Sequence, residues 1–356
     1  MRVKSSSRST PPPVGSAVSL RTPLLVSIVV LAAVVVVSTT IGPSDLSPTT
    51  VIRVLLAHVP LWHFRSSTSA LNQAIIWDIR LPRVILAGLV GSMLAAGGAS
   101  YQGVFRNPLA DPYLLGVAAG AGLGATIAIV SATQSTYLLP LAAFVGGSAA
   151  VVLTYIVGAR TGQRSSGSSI VLAGVAVAAL FTAVQTNLQQ QHAADLQTVY
   201  TWILGSLTVA TWSDVALIFP YVLVSATVLL AHRRLLDVLR VGEDEARSLG
   251  INPQRVRLTV VAAATLGTAA AVSVSGLIGF VGIIVPHFVR MTTNASYRVV
   301  LPISMISGAS FLILADLGAR MLEAPGEIPL GVVTAFIGGP FFIFVLRSKR
   351  SQQGVL

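Results

Sequence analysis

Long apolar runs recur along this 356-residue chain and constrain its fold more than any other feature. A helix needs about 20 predominantly apolar residues to cross a bilayer. The alternating pattern of a membrane β-barrel is absent, so we expect each run to form a helix. The sequence therefore predicts an all-α polytopic membrane protein with ten transmembrane helices, at 23–42, 83–103, 114–133, 138–158, 169–189, 213–232, 258–277, 280–290, 299–319 and 329–346.

Charge and cysteine content narrow the class further. Only 10% of the residues are charged, against roughly a quarter in soluble domains. The chain has no cysteine, which excludes disulfides, Fe–S clusters and thiol catalysis. The net charge of +11 is spread over the loops between apolar runs, and this distribution indicates membrane topology and not a nucleic-acid surface.

The basic residues predict an orientation. If the N-terminus is cytoplasmic, ten spans place both termini inside the cell. The outer segments then contain only five of the 23 Lys and Arg residues, namely Arg53, Arg65, Arg80, Arg83 and Arg320. This bias follows the positive-inside rule. We therefore expect a multi-pass protein of the cytoplasmic membrane with a disordered cytoplasmic tail at 1–22, a ten-helix transmembrane domain at 23–346 and a cytoplasmic tail at 347–356.

The eighth predicted span is too short to cross a bilayer alone. It begins at a glycine-rich break formed by Gly276, Gly279 and Gly282, and it contains Pro286. Broken helices at membrane depth are tolerated where they are buried in protein or line a water-filled path. Gly279 and Pro286 are therefore candidates for lining a path. Gln102 is a third candidate, with a hydrogen bond between helices as the alternative.

One segment, 233–257, has a mixed charge that is unusual for this chain. It lies between two apolar runs, on the side predicted to be cytoplasmic. A short charged segment of this kind cannot lie in lipid, and it favours contact with a soluble partner. The alternative is an ordinary solvated loop.

The chain lacks the residues that would supply its own energy or chemistry. There is no GxxxxGK[ST] nucleotide loop, no HExxH metal motif and no nucleophile elbow. We therefore expect no cofactor, no metal site and no enzymatic activity. An intramembrane enzyme would need a polar cluster within the spans, and none is visible. An ion-coupled secondary transporter stays open as a rival, although Asp316 is the only acid well inside a span.

Four segments resemble one known family. They are RLPRVILAGLVGSMLAAGGASYQGVFRNPLADPYLLGVAAGAGLGA (80–125), GEDEARSLGI (242–251), GLIGFVGIIVPHFVR (276–290) and GEIPLGVVTAFIGGPFFIFVL (326–346). In order and spacing they resemble the FecCD-type permeases of type II ABC importers. That resemblance implies a ten-helix subunit, a second permease subunit that is identical or related, two cytoplasmic ATPases and an extracytoplasmic binding protein. It also implies uptake of an iron–siderophore complex, with cobalamin or haem as alternatives.

The resemblance also implies roles for particular residues. The segment 242–251 is similar to the helices that couple the permease to its ATPases, here Gly242, Glu243, Asp244, Glu245, Ala246, Arg247, Ser248, Leu249 and Gly250. Ala246 and Leu249 would offer an apolar contact, and Arg247 would pair with the partner. Arg80, Arg83 and Arg320 resemble the arginines that meet glutamates of the binding protein, with snorkelling to the interface as the alternative. Gly167, Ser168 and Ser169 resemble the inner gate.

Overall fold

The computed structural model describes residues 20–42, 46–57, 68–131, 137–159 and 167–353. These ranges are predominantly helical and contain no β-strand. The predicted tail at 1–22 lies almost entirely outside the described residues, as do Arg160 and Arg164. The helices are α1 (Arg21–Thr40), α2 (Pro48–Ala57), α3 (Ala70–Ala74), α4 (Leu81–Val104), α5 (Val117–Val130), α6 (Leu138–Ala159), α7 (Gly167–Gln191), α8 (Leu196–Ile203), α9 (Trp212–Val241), α10 (Glu243–Ser248), α11 (Pro253–Ser275), α12 (Val281–Thr292), α13 (Tyr297–Met321) and α14 (Leu330–Gln353).

Each of the ten predicted spans corresponds to a helix, which confirms the all-α polytopic prediction. The matching helices are α1, α4, α5, α6, α7, α9, α11, α12, α13 and α14. Seven helical segments within the described residues are long and apolar enough to cross a membrane by themselves. The other three spans, α5, α12 and the apolar part of α14, are shorter. Short spans of this kind need neighbouring helices to cover their ends.

Helix ends were the weakest part of the sequence prediction. Helix α9 ends at Val241 and not at residue 232, and α14 continues to Gln353 through most of the predicted tail. The 30 residues of α9 extend about 45 Å, against a hydrocarbon core of about 30 Å. Its charged end therefore continues as helix beyond the membrane, where hydropathy no longer marks it. The short helices α2 and α8 were not predicted.

Small residues bring the other helices close to α4, which forms the centre of the fold. Helix α4 packs against α9, α11, α12 and α13. A Cβ atom at Gly91 would overlap the carbonyl oxygen of Gly308, and one at Gly98 would overlap that of Gly282. Close backbone approach of this kind stabilises helix association in lipid, where the hydrophobic effect between helices is lost. Helix α5 packs in the same way against α6, since Gly120 lies against Gly146.

The glycine-rich break between α11 and α12 is present at Gly276–Phe280. Gly276 and Phe280 both have φ of 68°, in the left-handed region that interrupts a helix. The hydroxyl of Tyr113 satisfies the backbone of Ile278, which has no helical partner within the break. The hydroxyl donates to the carbonyl of Ile278 at 3.0 Å and accepts from its N–H at 3.1 Å. Non-helical backbone at membrane depth requires such internal partners.

Two ends of the bundle carry the polar residues. The α10 end contains α10, the end of α9, the start of α11 and the turn 105–111. The opposite end, called the Arg83 end below, contains the start of α4, the end of α13 and the loop 322–329. The predicted docking and coupling residues therefore lie at opposite ends of the molecule.

Candidate functional site

The coupling segment, residues 242–251, forms a short helix flanked by two glycines. Helix α10 begins at Glu243, with three acids in its first turn, where the helix dipole favours negative charge. Gly250 ends it with φ of 75°, and Ile251 N–H bonds back to the carbonyl of Ala246 at 2.9 Å. This is the usual glycine-terminated helix end.

Within the coupling segment the two predicted apolar contacts differ in exposure. Ala246 is fully buried against its own chain, so it anchors α10 and does not face outward. Leu249 is 67% exposed. A large apolar side chain that stays exposed outside the membrane is a common feature of partner contacts. Leu249 is therefore the apolar residue available to another protein.

Ion pairs fix α10 to the next long helix. Glu243 pairs with the buried Arg257 of α11. Arg247, expected to pair with a partner, instead lies 3.1 Å from Asp244 and 3.5 Å from Glu243. Exposed pairs within one helix contribute only about 0.3–0.5 kcal/mol, so Arg247 can exchange partners at little cost. The pair with Arg257 links α10 mechanically to α11.

A concave surface lies beside the coupling segment. It encloses about 940 Å³ and is lined by α10 together with Arg106 of the 105–111 turn and Gln254 of α11. Arg106 has φ of 49°, which places an exposed residue in a strained conformation. Asp111 ends the same turn and accepts the N–H of Tyr113 at 2.8 Å, which caps the short helical turn that follows.

At the Arg83 end, Arg83, Asp316, Arg320 and Glu327 form an arginine–acid network. The Arg83 guanidinium donates to both oxygens of Asp316, at 2.8–3.0 Å, and to both oxygens of Glu327 at 2.8 Å. Arg320 pairs with Asp316 at 3.2 Å and donates to the hydroxyl of Ser38 at 2.8 Å. Two-pronged arginine–carboxylate pairs are among the strongest polar contacts in proteins.

Arg80 belongs to the same end but bonds differently. It lies in a π-helical turn, Ile75–Arg80, that joins α3 to α4. Its guanidinium donates to the carbonyl of Thr39 at 2.9 Å and to that of Thr40 at 2.7 Å. These carbonyls are at the end of α1, where the helix dipole attracts a cation. Arg80 therefore closes the end of α1.

The structure thus gives Arg80, Arg83 and Arg320 acceptors within their own chain and buries all three. Their docking to a binding protein stays a prediction. Sequence reasoning did not identify Glu327, although it lies in the quoted GEIPLG segment. This residue is the accessible member of the network, with 29% of its side chain exposed and a 2.7 Å hydrogen bond from Thr208. The hydrogen bonds from Arg83 hold the pKa of the Glu327 carboxyl below its usual range.

The three path candidates have different surroundings. Gln102 is buried; its amide donates to the carbonyl of Gly282 at 2.9 Å, and its oxygen accepts from Arg290 at 2.5 Å. It therefore makes the alternative contact weighed above, a hydrogen bond between helices. Pro286 is also buried. Gly279 lies in an open apolar groove of about 500 Å³, beside Phe280 and Phe336.

The predicted inner gate residues Gly167, Ser168 and Ser169 form the start of α7. The exposed face of α7 changes along the helix. Leu172 and Val175 lie on it near the start, and the small or polar residues Ala179, Thr182, Thr186 and Gln190 lie on it further along. Lipid cannot hydrogen-bond a glutamine amide. The later part of this face therefore favours water or a second subunit beside it.

The sequence pattern of the FecCD transport family matches residues 30–348. The chain belongs to this family. It is accordingly a permease subunit of an ABC importer and not an enzyme, and ATP hydrolysis takes place in the partner ATPase.

Several FecCD relatives carry different cargoes. The chain is 41% identical to the cobalamin import permease of Halobacterium salinarum, over 78% of this chain and 74% of the relative. It is 38% identical to the hemin transport permease of Yersinia pestis, over 78% and 85%. It is 34% identical to an Fe(3+)-citrate import permease of Bacillus subtilis, over 93% and 96%.

A solved structure of a metal-chelate type ABC transporter in an inward-facing conformation has the same fold. It superposes with a TM-score of 0.81 at 30% identity, covering 91% of this chain and 98% of that one. The type II ABC permease fold expected from the sequence is therefore confirmed. The family assignment also decides against the ion-coupled secondary transporter.

Proposed function

We propose that this permease imports a ferric siderophore complex across the cytoplasmic membrane, by alternating access driven by two partner ATPases. The proposal rests chiefly on the coupling segment, which presents Leu249 at one end of a FecCD fold. The α10 end is cytoplasmic in this proposal, in agreement with the distribution of arginines. Both termini are then cytoplasmic as well.

The connections of α10 suggest how ATP binding reaches the path. Helix α10 follows α9 after one residue and is paired to α11 through Glu243 and Arg257. The far end of α11 is the break Gly276–Phe280, next to the open groove at Gly279. A pull on α10 would therefore act along α11 on the break. The path would open or close there while α4 stays fixed by its glycine contacts.

The uncovered face of α7 supports a dimer. Two copies, or this chain and a related one, would enclose the polar residues of α7 in a shared path, with Gly167–Ser169 at its cytoplasmic mouth. Helix α7 has no charged residue. A path without charges suits a bulky chelate that passes through without being gripped. We favour the homodimer, since two copies of this one chain then form the whole path.

The binding protein would dock at the Arg83 end. A carboxylate of that protein would compete with Glu327 for Arg83, because Glu327 is the exposed partner and Asp316 is the buried one. Charge reversal at Arg83 is a poor test, since it would gather three carboxylates in one buried site. Glu327→Gln is better, because it keeps the shape and weakens the internal competitor. We expect tighter docking of the binding protein to Glu327→Gln, and weaker docking would contradict this role.

The cargo proposal has two rivals, cobalamin and haem, each of which is the cargo named for a relative of this chain. The Fe(3+)-citrate relative matches over nearly the full length, while the cobalamin relative has the higher identity. Proteoliposomes that contain the permease, its ATPase and its binding protein would decide between them. We expect ATP-dependent uptake of ferric siderophore and none of cobalamin or haem. Uptake of cobalamin alone would overturn the iron assignment.

The proposed contact between the coupling segment and the ATPase is tested by substituting two exposed leucines, one at each end of the bundle. Leu249→Glu places a charge on the α10 end, and Leu322→Glu does so at the opposite end, where Leu322 is 72% exposed. We expect the ATPase to be lost from the purified complex of Leu249→Glu and retained in that of Leu322→Glu. Retention in both would exclude the coupling segment as the ATPase contact.

A further inference from the structure

Two apolar recesses lie on the outer surface of the bundle, and they differ in the charge close to them. The α6–α11 recess has a volume of about 360 Å³ and lies between Val152, Tyr155 and Ile156 of α6 and Leu258, Ala262 and Leu266 of α11. The α6–α9 recess, about 200 Å³, lies nearer the Arg83 end and includes Leu141 and Tyr221. Neither recess belongs to the coupling segment, the network or the α7 face.

Arg255 lies about one turn before Leu258, the first α11 residue that lines the α6–α11 recess. At 100° per residue, Ala262 and Leu266 each lie within about 20° of Arg255 around α11. Side chains on a helix lean toward its N-terminus, which for α11 is the α10 end. Arg255 is exposed and has no ion-pair partner among the described residues. Its guanidinium is therefore free for an external anion.

A neighbouring arginine shows the contrast. Arg257 points to the opposite side of α11, is buried and pairs with Glu243. Tyr155 of α6 also lines the recess. An apolar wall with a phenol group therefore lies about one turn from the free cation of Arg255. No arginine lines either recess, but the α6–α9 recess, which includes Tyr137 and Tyr221, also has no basic residue within one turn of its lining residues in the sequence.

The dimensions match one leaflet of a bilayer. From Leu258 to Leu266 the helix rises about 12 Å, against about 15 Å for half of the hydrocarbon core. The recess begins about one turn beyond Arg255, so that a phosphate at Arg255 and an acyl chain along the recess would belong to the same molecule. Basic pockets between transmembrane helices on the cytoplasmic side are known to bind anionic lipid head groups.

We propose that the α6–α11 recess binds one anionic phospholipid of the inner leaflet, with its phosphate at Arg255 and an acyl chain between α6 and α11. The assignment of the site to the inner leaflet rests on the orientation proposed above. Lipid binding does not rest on that orientation, because it depends only on the apolar recess and the charge of Arg255. The site would let the membrane composition act on α11, the helix that connects the coupling segment to the break.

The test uses the full chain purified in detergent, delipidated and titrated with phosphatidylglycerol or phosphatidylcholine, with bound lipid counted by native mass spectrometry. We expect one phosphatidylglycerol to bind more tightly than phosphatidylcholine. Arg255→Gln should weaken phosphatidylglycerol binding about five-fold and leave phosphatidylcholine unchanged, since one arginine near a membrane surface contributes about 1 kcal/mol. Arg255→Lys should retain the preference.

Matched variants separate this site from the rest of the surface. Ala262→Trp fills the recess and should abolish retention of the lipid, whereas Leu141→Trp fills the α6–α9 recess and should not. Arg298→Gln, which removes another exposed arginine at the α10 end, should have no effect. Equal affinity for the two lipids, or no change in Arg255→Gln, would overturn the proposal.

Two further outcomes would also overturn it. If soluble glycerophosphoglycerol displaces the lipid at comparable concentration, Arg255 is a simple anion site. If the lipid is bound by the monomer and lost from the dimer, the recess is a contact between subunits. A wild-type protein that takes up its cargo but shows no preference for phosphatidylglycerol would refute this inference alone, so its failure can be distinguished from failure of the proposed transport function.

Discussion

Asp316 should stabilise the Arg83 end far more than Glu327 does, although both acids bind the same arginine. Asp316 is buried and is shared between Arg83 and Arg320, whereas 29% of the Glu327 side chain is exposed. Asp316→Asn keeps the shape but leaves two buried guanidinium groups short of one negative charge. Removing one member of a buried ion pair costs about 3–5 kcal/mol. An exposed pair such as that of Glu327 contributes about 0.2–1 kcal/mol.

Thermal unfolding of the purified chain in one detergent measures this difference. At about 2–4 °C per kcal/mol for domains of 150–250 residues, Asp316→Asn should lower Tm by on the order of 10 °C. Glu327→Gln should lower it by a few degrees at most. Glu323→Gln, an exposed acid in the same loop, serves as the control and should leave Tm unchanged. Equal shifts in Asp316→Asn and Glu327→Gln would refute the assignment of the stabilising role to the buried acid.

The pH dependence of Glu327 follows from the same geometry. Its pKa is lowered in the folded protein, chiefly by the hydrogen bonds from Arg83. Its contribution is therefore fully present above the unfolded value of about 4.3 and is lost as pH falls through the folded pKa. The difference in Tm between the wild type and Glu327→Gln should be constant from pH 7 to pH 5 and shrink only below that range. A change between pH 7 and pH 6 would contradict this sign.

Two other predictions use paired positions. Gly98→Ala should destabilise the fold by about 1–3 kcal/mol, because the new methyl group overlaps the backbone of Gly282. At Gly88 the nearest neighbouring atom would be 3.5 Å from the new methyl group, so Gly88→Ala should be neutral or stabilise the helix by up to about 1 kcal/mol. Shifts of Tm in the same direction for both variants would refute the packing argument. Because the chain has no cysteine, Thr186→Cys on α7 should react with a charged thiol reagent in membranes, while Leu223→Cys on the lipid-facing side of α9 should not. Equal labelling of Thr186→Cys and Leu223→Cys would show that the α7 face is not accessible to water.

Hydropathy predicted the ten spans because each is a local property of about 20 residues. It could not predict that Arg83 pairs with an acid 233 residues later in the chain, since nothing local marks such a contact. The same limit explains why Arg80 and Arg320 were expected at an exposed surface. Helix α9 was cut short at residue 232 because a helix can continue after its apolar run has ended. The short helix at Glu243–Ser248 is present where its acids and flanking glycines, which are local signals, predict one, and its coupling role stays a prediction.

The hydroxyl of Tyr113 makes the break in the membrane part of a longer linkage. One phenol group bonds both the N–H and the C=O of Ile278, in the way a neighbouring peptide unit would. Tyr113 itself follows directly on the 105–111 turn, at the same end as α10. The break can move relative to that turn only if both bonds are given up together. The break is therefore tied to the 105–111 turn as well as to α11, so that a force applied by a partner at the turn would reach the break by a second route.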